Sequence, residues 1–125
     1  MKIQIDSLST IPIYQQLRDQ IVLGIASGQV ALAAPLPSVR KLAGQLGINY
    51  HTVSKAYSIL SEEGYIAIDR GKGAIVTPSL KRDKEYNNVL AQKLSLIAAE
   101  ALCHLVSEDE FVELCGKYYK RVIGK

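Results

Sequence analysis

The sequence predicts a mainly α-helical fold that contains one small β-hairpin and ends in two further helices. In three stretches before Gly64, apolar side chains recur every three or four residues, which is the spacing of helices packed on a core. Residues 65 to 77 change to two short apolar runs around a glycine-containing turn, and helical spacing returns after residue 84. The predicted order is therefore three helices, a hairpin and two helices.

Length and composition indicate one compact domain with an appendage. The chain has 125 residues, of which 48% are hydrophobic and 22% charged, and this balance excludes a disordered chain and two large domains. The formal net charge of +3 permits contact with nucleic acid but is far below that of a protein that binds by charge alone. Seven Lys/Arg against five Asp/Glu in residues 1 to 78, and eight against seven in residues 79 to 125, exclude a basic tail.

The cysteines and the absence of an export segment predict a cytoplasmic protein. Cys103 and Cys115 lie in a stretch with helical spacing and have no CxxC pattern, so we expect reduced, buried thiols. The residues after Met1 form no apolar run suited to export, and no stretch reaches membrane-spanning length.

The first helix is predicted over residues 12 to 27. Thr10 or a neighbour can cap it, and Pro12 fits its first turn because the missing N–H has no helical partner there. Gly28 provides a left-handed stop. The connector over residues 29 to 37 contains two prolines, which exclude a continuous helix or a central strand but leave room for a short strand. The buried stripe of the helix is Tyr14, Leu17, Ile21 and Ile25.

Two helices joined by a tight turn are predicted next. Ser38 can cap a short second helix, and Gly47 can take the positive φ needed to leave it. Asn49 can cap a third helix over residues 50 to 63, so two helices so closely joined must cross steeply. Gly64 ends the third helix. The side chains expected to pack inward are Val39, Leu42, Ala43, Leu46, Val53, Ala56, Tyr57 and Leu60.

A β-hairpin and a hinge follow the third helix. Strand-like runs at 65 to 68 and 74 to 77 flank the four residues Arg70 to Gly73, a connection typical of a hairpin. Pro78 ends the second strand, and the polar run from residue 79 to 84 indicates a hinge.

Helical spacing predicts two final helices. The first spans residues 84 to 106, and Ser107 with Glu110 forms a capping box ahead of the second. Roughly 45 residues cannot enclose a core alone, so we expect the segment from 79 to 125 to pair with a second copy of the chain. The apolar faces are Tyr86, Leu90, Leu94, Ile97, Ala101 and Leu105 on the first helix, and Phe111, Leu114, Cys115, Tyr118 and Val122 on the second.

The tight turn and the hairpin together predict a winged helix-turn-helix domain over residues 1 to 78. In that domain the start of the third helix projects outward and can enter the major groove of DNA, and no acidic residue occurs on this helix before Glu62. The start of the second helix and the hairpin tip can place cations and backbone N–H groups beside it. The candidate DNA contacts are Ser38, Arg40, Lys41, Asn49, Tyr50, His51, Thr52, Ser54, Lys55, Arg70, Gly71, Lys72 and Gly73.

Four of the candidates also have a simpler interpretation. Arg40 and Lys55 are alternatively solvated helix cations, and Tyr50 and His51 are alternatively exposed residues at a helix start. Tyr50 is alternatively a cover for the core, whereas Tyr57 is expected in the core itself.

Five ordered segments resemble the GntR family of bacterial regulators. They cover about 65 residues, and the order of several motifs makes the resemblance specific. The short remainder resembles the YtrA-like subfamily, whose members end in two helices used for dimerisation, so larger effector-binding or aminotransferase domains do not fit. The segments are PIYQQLRDQI at 12 to 21, LPSVRKLAGQLGIN at 36 to 49, HTVSKAY at 51 to 57, EEGYI at 62 to 66 and RGKGAIV at 70 to 76.

The resemblance implies a repressor or activator that binds a double-stranded DNA operator of twofold symmetry as a homodimer. Arg40, the start of the third helix and the tip from Arg70 to Gly73 would then lie at the DNA. The sequence departs from the family pattern at two places, the first of which affects loop geometry and the second the operator sequence. Leu32-Ala33-Ala34 replaces the usual Pro-Gly pair in the loop, and Tyr50-His51 replaces the more usual Pro-Asn or Ser-Arg.

The sequence gives less support to other classes of protein. His51 and His104 have no second ligand at a suitable spacing, so no metal is expected. No nucleophile, base and orienting group can be assembled, and Gly71-x-Gly73 lacks the rest of a nucleotide-binding fingerprint, so neither an enzyme nor a cofactor is expected. Two alternatives stay open: a protein-binding winged-helix adaptor, and a small-molecule effector between the terminal helices, although no polar cluster marks a pocket.

Overall fold

The computed structural model describes residues 2 to 69, 71, 73 to 78 and 80 to 124. The chain divides into two compact units, Met1–Leu80 and Lys81–Lys125, and the division falls within the polar run that the sequence indicates as a hinge. The mainly α fold with one hairpin is confirmed. The first unit contains α1 (Ile13–Ser27), α2 (Val39–Leu46), α3 (Tyr50–Glu62), β1 (Ile66–Asp69) and β2 (Gly73–Val76), and the second contains α4 (Lys84–Cys103) and α5 (Glu108–Val122).

A single hydrophobic cluster holds the elements of the first unit together. α1 crosses α3 closely, and α3 also packs against α2 and β1. Burial of each large apolar side chain contributes roughly 1.5–3 kcal/mol, so this cluster fixes where the start of α3 lies. The largest fully buried side chains are Leu17 and Ile21 of α1, Val53 and Leu60 of α3, and Val76 of β2.

The turn between α2 and α3 is built from the predicted caps. The Ser38 hydroxyl accepts the backbone N–H of Lys41 at 3.1 Å, and Asn49 Oδ1 accepts the N–H of His51 at 2.7 Å. Gly47 adopts φ +66°, and the next N–H donates to the Ala43 carbonyl at 3.1 Å. These bonds satisfy helix ends that would otherwise lack partners, so the helix-turn-helix geometry is fixed locally.

The hairpin is an antiparallel pair that the connector extends. Ile66 pairs with Val76, and Asp69 pairs with Gly73 next to the turn. The Leu36 N–H donates to the Ala74 carbonyl at 2.8 Å, and the Val76 N–H donates to the Ala34 carbonyl at 2.9 Å. The connector therefore runs antiparallel along β2, where Pro35 forms a single β-bridge with Ile75. The sequence had allowed a short strand in this connector.

The predicted side-chain cap of α1 at Thr10 or a neighbour is wrong. The N-cap position of α1 is Pro12, and no side chain caps the helix there. Instead, the buried Gln16 holds the preceding segment: its amide nitrogen donates to the carbonyls of Asp6 at 2.9 Å and Ile11 at 2.8 Å, and its amide oxygen accepts the Asp6 N–H at 2.9 Å. Gln16 therefore ties the preceding segment to α1 without capping the helix, because its partners lie outside the first turn.

The second unit corrects two further expectations. α4 ends at Cys103 rather than 106, because Leu105 turns to φ +63° while Val106 N–H donates to the Ala101 carbonyl at 3.0 Å. The apolar spacing continues through Leu105, so it does not reveal this reversal.

Cys103 and Cys115 are free and exposed rather than buried, because neither helix has a buried residue in a single chain. Ser107 caps α5 as predicted, accepting the Glu110 N–H at 3.2 Å.

Among the described residues, no helix is long and apolar enough to cross a membrane.

Candidate nucleic-acid interface

The starts of α2 and α3 meet at one surface of the first unit. Arg40 is the second residue of α2 and Tyr50 is the first residue of α3. Together with Ala43, Gly44 and Ile48 they line an open groove of about 600 Å³. The helix-turn-helix fold therefore brings together candidates from two separate sequence motifs.

Arg40 lies over the ring of Tyr50. The guanidinium carbon is 5.9 Å from the ring centroid, within the range of a cation–π interaction. Tyr50 is 46% exposed, so it does not serve as a cover for the core. Both side chains are open to a partner at the groove.

The remaining residues at the start of α3 differ in exposure. His51 is exposed, and its ring stands edge-on to Tyr50 with 5.6 Å between centroids and 88° between planes. Thr52 and Ser54 are half-buried. The Ser38 and Asn49 oxygens accept the capping hydrogen bonds, which leaves the Ser38 hydroxyl proton and the Asn49 amide protons as donors.

Lys55 contacts α1 as well as facing solvent. Its ammonium nitrogen lies 3.9 Å from the centroid of the Tyr14 ring, so the aromatic ring holds the cation at a defined position. The sequence suggested Tyr14 only as a core residue, and its support of Lys55 was missed because the contact joins two helices. Lys41 is exposed on α2.

The cations at the starts of α2 and α3 are not neutralised by the ion pairs that the structure describes in the first unit. Both ion pairs in the described part of the chain belong to Arg18, which lies 3.0 Å from Asp19 and 2.9 Å from Glu63. Burial lowers the pKa of Arg18, but its hydrogen bonds to Glu63 and Asp19 outweigh burial and raise the pKa overall. Within the same residues Arg40, Lys41 and Lys55 have no carboxylate at salt-bridge distance, so their charge is available to an anion.

The described residues at the hairpin tip are Asp69, Gly71 and Gly73. Gly71 and Gly73 are exposed, and Gly73 adopts φ +76°. The Gly71 N–H donates to Asp69 Oδ1 at 2.8 Å, so this N–H is not free for a phosphate. The two cations predicted at the tip, Arg70 and Lys72, lie outside the described residues.

No group of three or more His, Cys, Asp and Glu side chains in the described part of the chain is arranged to hold a metal ion.

The chain matches one family model and several regulators. Residues 13–76 match the family described as "Bacterial regulatory proteins, gntR family". The chain is 42% identical over 79 residues to the HTH-type transcriptional repressor YtrA of Bacillus subtilis, a match that covers 63% of this chain and 61% of that repressor. It is 34% identical over 111 residues to the HTH-type transcriptional regulator Rv1152 of Mycobacterium tuberculosis, covering 82% and 90% respectively. The family and both relatives are regulators rather than enzymes, as the sequence predicted.

Solved structures share the fold. A transcriptional antiterminator from Listeria monocytogenes superposes with a TM-score of 0.91 at 25% identity, covering 100% of this chain and 95% of that one. YtrA from Sulfolobus acidocaldarius, a GntR-family transcription factor, superposes at 0.66 with 37% identity, covering 78% and 97%. The DNA-binding domain of AraR in complex with operator ORE1 superposes at 0.52 with 26% identity, covering 62% and 94%.

Proposed function

This chain belongs to the GntR family of bacterial regulatory proteins, and from that premise we propose that it represses transcription in the cytoplasm by binding a twofold-symmetric DNA operator as a homodimer. The arrangement of cations and donors at the starts of α2 and α3 carries the DNA-binding part of the proposal. Arg40, Lys41 and Lys55 lie without carboxylate partners among the described residues, beside an exposed helix start with no acidic residue in its first turn. Such a surface suits the phosphates and base edges of a duplex.

Repression and operator binding draw support from similar proteins. The Bacillus subtilis YtrA protein is named a repressor, as is NagR, which is 40% identical over 73 residues. The AraR domain that shares the fold was solved on an operator. The chain spans 61% of the YtrA repressor, so these activities are proposed for this chain by similarity.

A selected duplex and a charge-reversal variant test DNA binding. Duplexes enriched by the protein from a random-sequence library should contain an inverted repeat, because a symmetric dimer reads the same half-site twice. Arg40→Glu should reduce affinity for the enriched duplex at least about 100-fold, since it removes a positive contact and adds a repulsive charge. Lys84→Glu is the matched control, because it makes the same charge change at the first residue of α4, where an acidic side chain suits the helix dipole.

The outcomes separate DNA binding from an adaptor role. Loss of binding in Arg40→Glu with retention in Lys84→Glu supports the proposed interface. Failure to enrich any duplex, or equal affinity of wild type and Arg40→Glu, contradicts it. Affinity that does not fall with added salt would favour the protein-binding adaptor, because phosphate contacts release counterions.

The second unit supports the homodimer. Four residues on one predicted face of α4, Tyr86, Leu90, Leu94 and Ile97, are 40 to 51% exposed. α5 exposes Val112, Tyr118 and Tyr119 at 62, 49 and 72%. Monomeric proteins rarely expose large apolar side chains along a whole helix face, as α4 does, and an equal face on a second copy would cover it.

Charge complementarity favours a second copy as the occupant. α5 begins with Glu108, Asp109 and Glu110 and ends with Lys120 and Arg121. Two copies of one helix that cross a perpendicular twofold axis run antiparallel, so the acidic start of one α5 would face the basic end of the partner's α5. In this arrangement the middle of each helix, near Cys115, lies closest to the axis.

Sedimentation and cross-linking test the pairing. Wild type should sediment as a dimer at concentrations that bind the enriched duplex. In the Cys103→Ser variant, a short bismaleimide should link two chains through Cys115. The matched Cys115→Ser variant keeps Cys103, which is also exposed but lies at the end of α4, and should link poorly. A monomer by sedimentation would contradict the homodimer, and a dimer that links only through Cys103 would contradict antiparallel α5 pairing.

Release by a small molecule stays a prediction from the sequence, because no described cluster of polar groups identifies a ligand for the second unit.

A further inference from the structure

We propose that Tyr50 is a positioning residue for Arg40: its ring holds the guanidinium at the rim of the groove before DNA arrives. The inference rests on the proposed DNA-binding function and assigns Tyr50 a role within it. Under this proposal Tyr50 acts through Arg40 and need not hydrogen-bond to a base or phosphate itself.

The contact joins two elements that the tight turn brings together. Arg40 belongs to α2 and Tyr50 to α3, and the guanidinium carbon lies 5.9 Å from the ring centroid. The backbone that carries the Tyr50 ring is fixed, because Asn49 caps α3 directly before Tyr50. The neighbouring His51 ring stands edge-on to the Tyr50 ring, with 88° between the two ring planes, and restricts how far the Tyr50 ring can turn.

The contact leaves the hydrogen-bond donors of Arg40 available. Within the described residues the Arg40 side chain makes no salt bridge, and no hydrogen bond from its guanidinium is found. A cation–π interaction uses the positive charge and the ring face rather than individual N–H groups. The guanidinium is therefore restrained while its N–H fork can still pair with a guanine edge or a phosphate.

Restraint before binding should increase affinity. A free arginine side chain loses rotamer freedom when it is fixed on DNA, and a side chain that is already restrained loses less. Part of the cost of ordering one long side chain is then already met in the free protein, which corresponds to roughly a two- to five-fold change in affinity. Lys55 and Tyr14 form a similar pair at 3.9 Å, so the interface contains an independent pair for comparison.

Two substitutions at position 50 separate the ring from the hydroxyl. Tyr50→Phe keeps the ring face and should bind the enriched duplex within about 1.5-fold of wild type. Tyr50→Leu removes the ring face and should bind roughly two- to five-fold more weakly. Position 50 is exposed, so both variants should be fully folded at the temperature of the binding assay, which circular dichroism checks before affinities are compared.

A double-mutant cycle tests whether the effect passes through Arg40. In an Arg40→Ala background, Tyr50→Leu should cause no further loss, because the group that it restrains is gone. A full additional loss in that background would show that Tyr50 contacts DNA on its own and would overturn the proposal. Tyr50→Phe binding as weakly as Tyr50→Leu would also overturn it, since the hydroxyl would then be the contact.

Side-chain dynamics in the free protein give a readout that does not depend on DNA. The ¹⁵Nε order parameter of Arg40 should fall in Tyr50→Leu but not in Tyr50→Phe, while that of Arg18, held between Asp19 and Glu63, stays constant as an internal reference. An Arg40 side chain equally mobile in all three proteins would contradict the positioning role. If Arg40→Ala itself binds like wild type, the proposed interface fails, and that result is distinct from failure of the Tyr50 role alone.

Discussion

Tyr57 joins the buried face of α3 to the connector that leads into α2. Its ring is 2% exposed, and its hydroxyl donates to the Pro37 carbonyl at 2.7 Å. Burial raises the pKa of Tyr57 from 10.0 to about 12. The residue therefore stabilises the fold only while it is protonated.

Stability should fall as the pH rises from 10 to about 12. The unfolded chain releases the Tyr57 proton near pH 10.0, whereas the folded chain holds it to about 12, so deprotonation favours the unfolded state in this window. The loss attributable to this residue should be about 2 kcal/mol, with full stability retained below pH 10. Urea unfolding of wild type and Tyr57→Phe at several pH values measures it.

Tyr57→Phe should lose about 1 kcal/mol at neutral pH, because the Pro37 carbonyl loses its donor. The gap between the two proteins should close and then reverse by about pH 12, since phenylalanine does not titrate and the loss of about 2 kcal/mol in wild type exceeds the initial gap. A constant gap from pH 8 to 12 would contradict the assigned pKa.

Ala33 occupies a backbone conformation that suits glycine. Its φ is +62°, in the left-handed region, where a side chain costs roughly 1–2 kcal/mol. Ala33→Gly should therefore stabilise the protein by about 0.5–1 kcal/mol after the added entropy of the unfolded glycine is subtracted. Ala34→Gly, next to it and without positive φ, is the control and should destabilise; stabilisation by both variants, or by neither, would contradict the interpretation.

At the level of elements, the turn from α2 to α3 depends on Gly47. A Cβ at Gly47 would meet no atom within 4 Å, so the cost of Gly47→Ala comes only from its φ of +66°. The variant should lose roughly 1–2 kcal/mol of unfolding free energy. Gly44→Ala, which also meets nothing but lies within α2, should be neutral or gain up to about 1 kcal/mol from helix propensity.

Chemical denaturation of both variants measures this difference. Equal stability of Gly47→Ala and Gly44→Ala would show that the left-handed turn is not what fixes α3.

Elements whose ends carry local signals were predictable from the sequence. Ser38, Gly47 and Asn49 fixed α2 and α3 because each acts on backbone groups within four residues. The attachment of the segment before α1 was not predictable in this way, because Gln16 acts across up to ten residues. The end of α4 was missed because Leu105 continues the apolar spacing while its backbone reverses.

The candidate site was predictable as a set of residues but not as a set of contacts. Its cations and polar side chains follow from their positions on two short helices. The pairing of Arg40 with Tyr50, and of Lys55 with Tyr14, depends on how the helices cross. No local spacing encodes the distance between side chains of different elements.

At the scale of the whole molecule, the salt dependence of binding reports how many copies of the site reach DNA. Each phosphate neutralised contributes about 0.9 to the slope of log affinity against log salt concentration. If Lys41, which is exposed on α2, contacts a phosphate in each half-site, Lys41→Ala should lower the slope by about 2 for a homodimer and by about 1 for a monomer. Fluorescence anisotropy on the enriched duplex at several salt concentrations measures it, and an unchanged slope would remove Lys41 from the interface.

The most direct test of the central claim is the stoichiometry of the complex with that duplex. Sedimentation velocity with a labelled duplex should show two chains bound cooperatively to one duplex, and this complex should be absent with Arg40→Glu and retained with Lys84→Glu. Saturation at one chain per duplex, or a complex that survives Arg40→Glu, would contradict a paired regulator that reads DNA with the starts of α2 and α3.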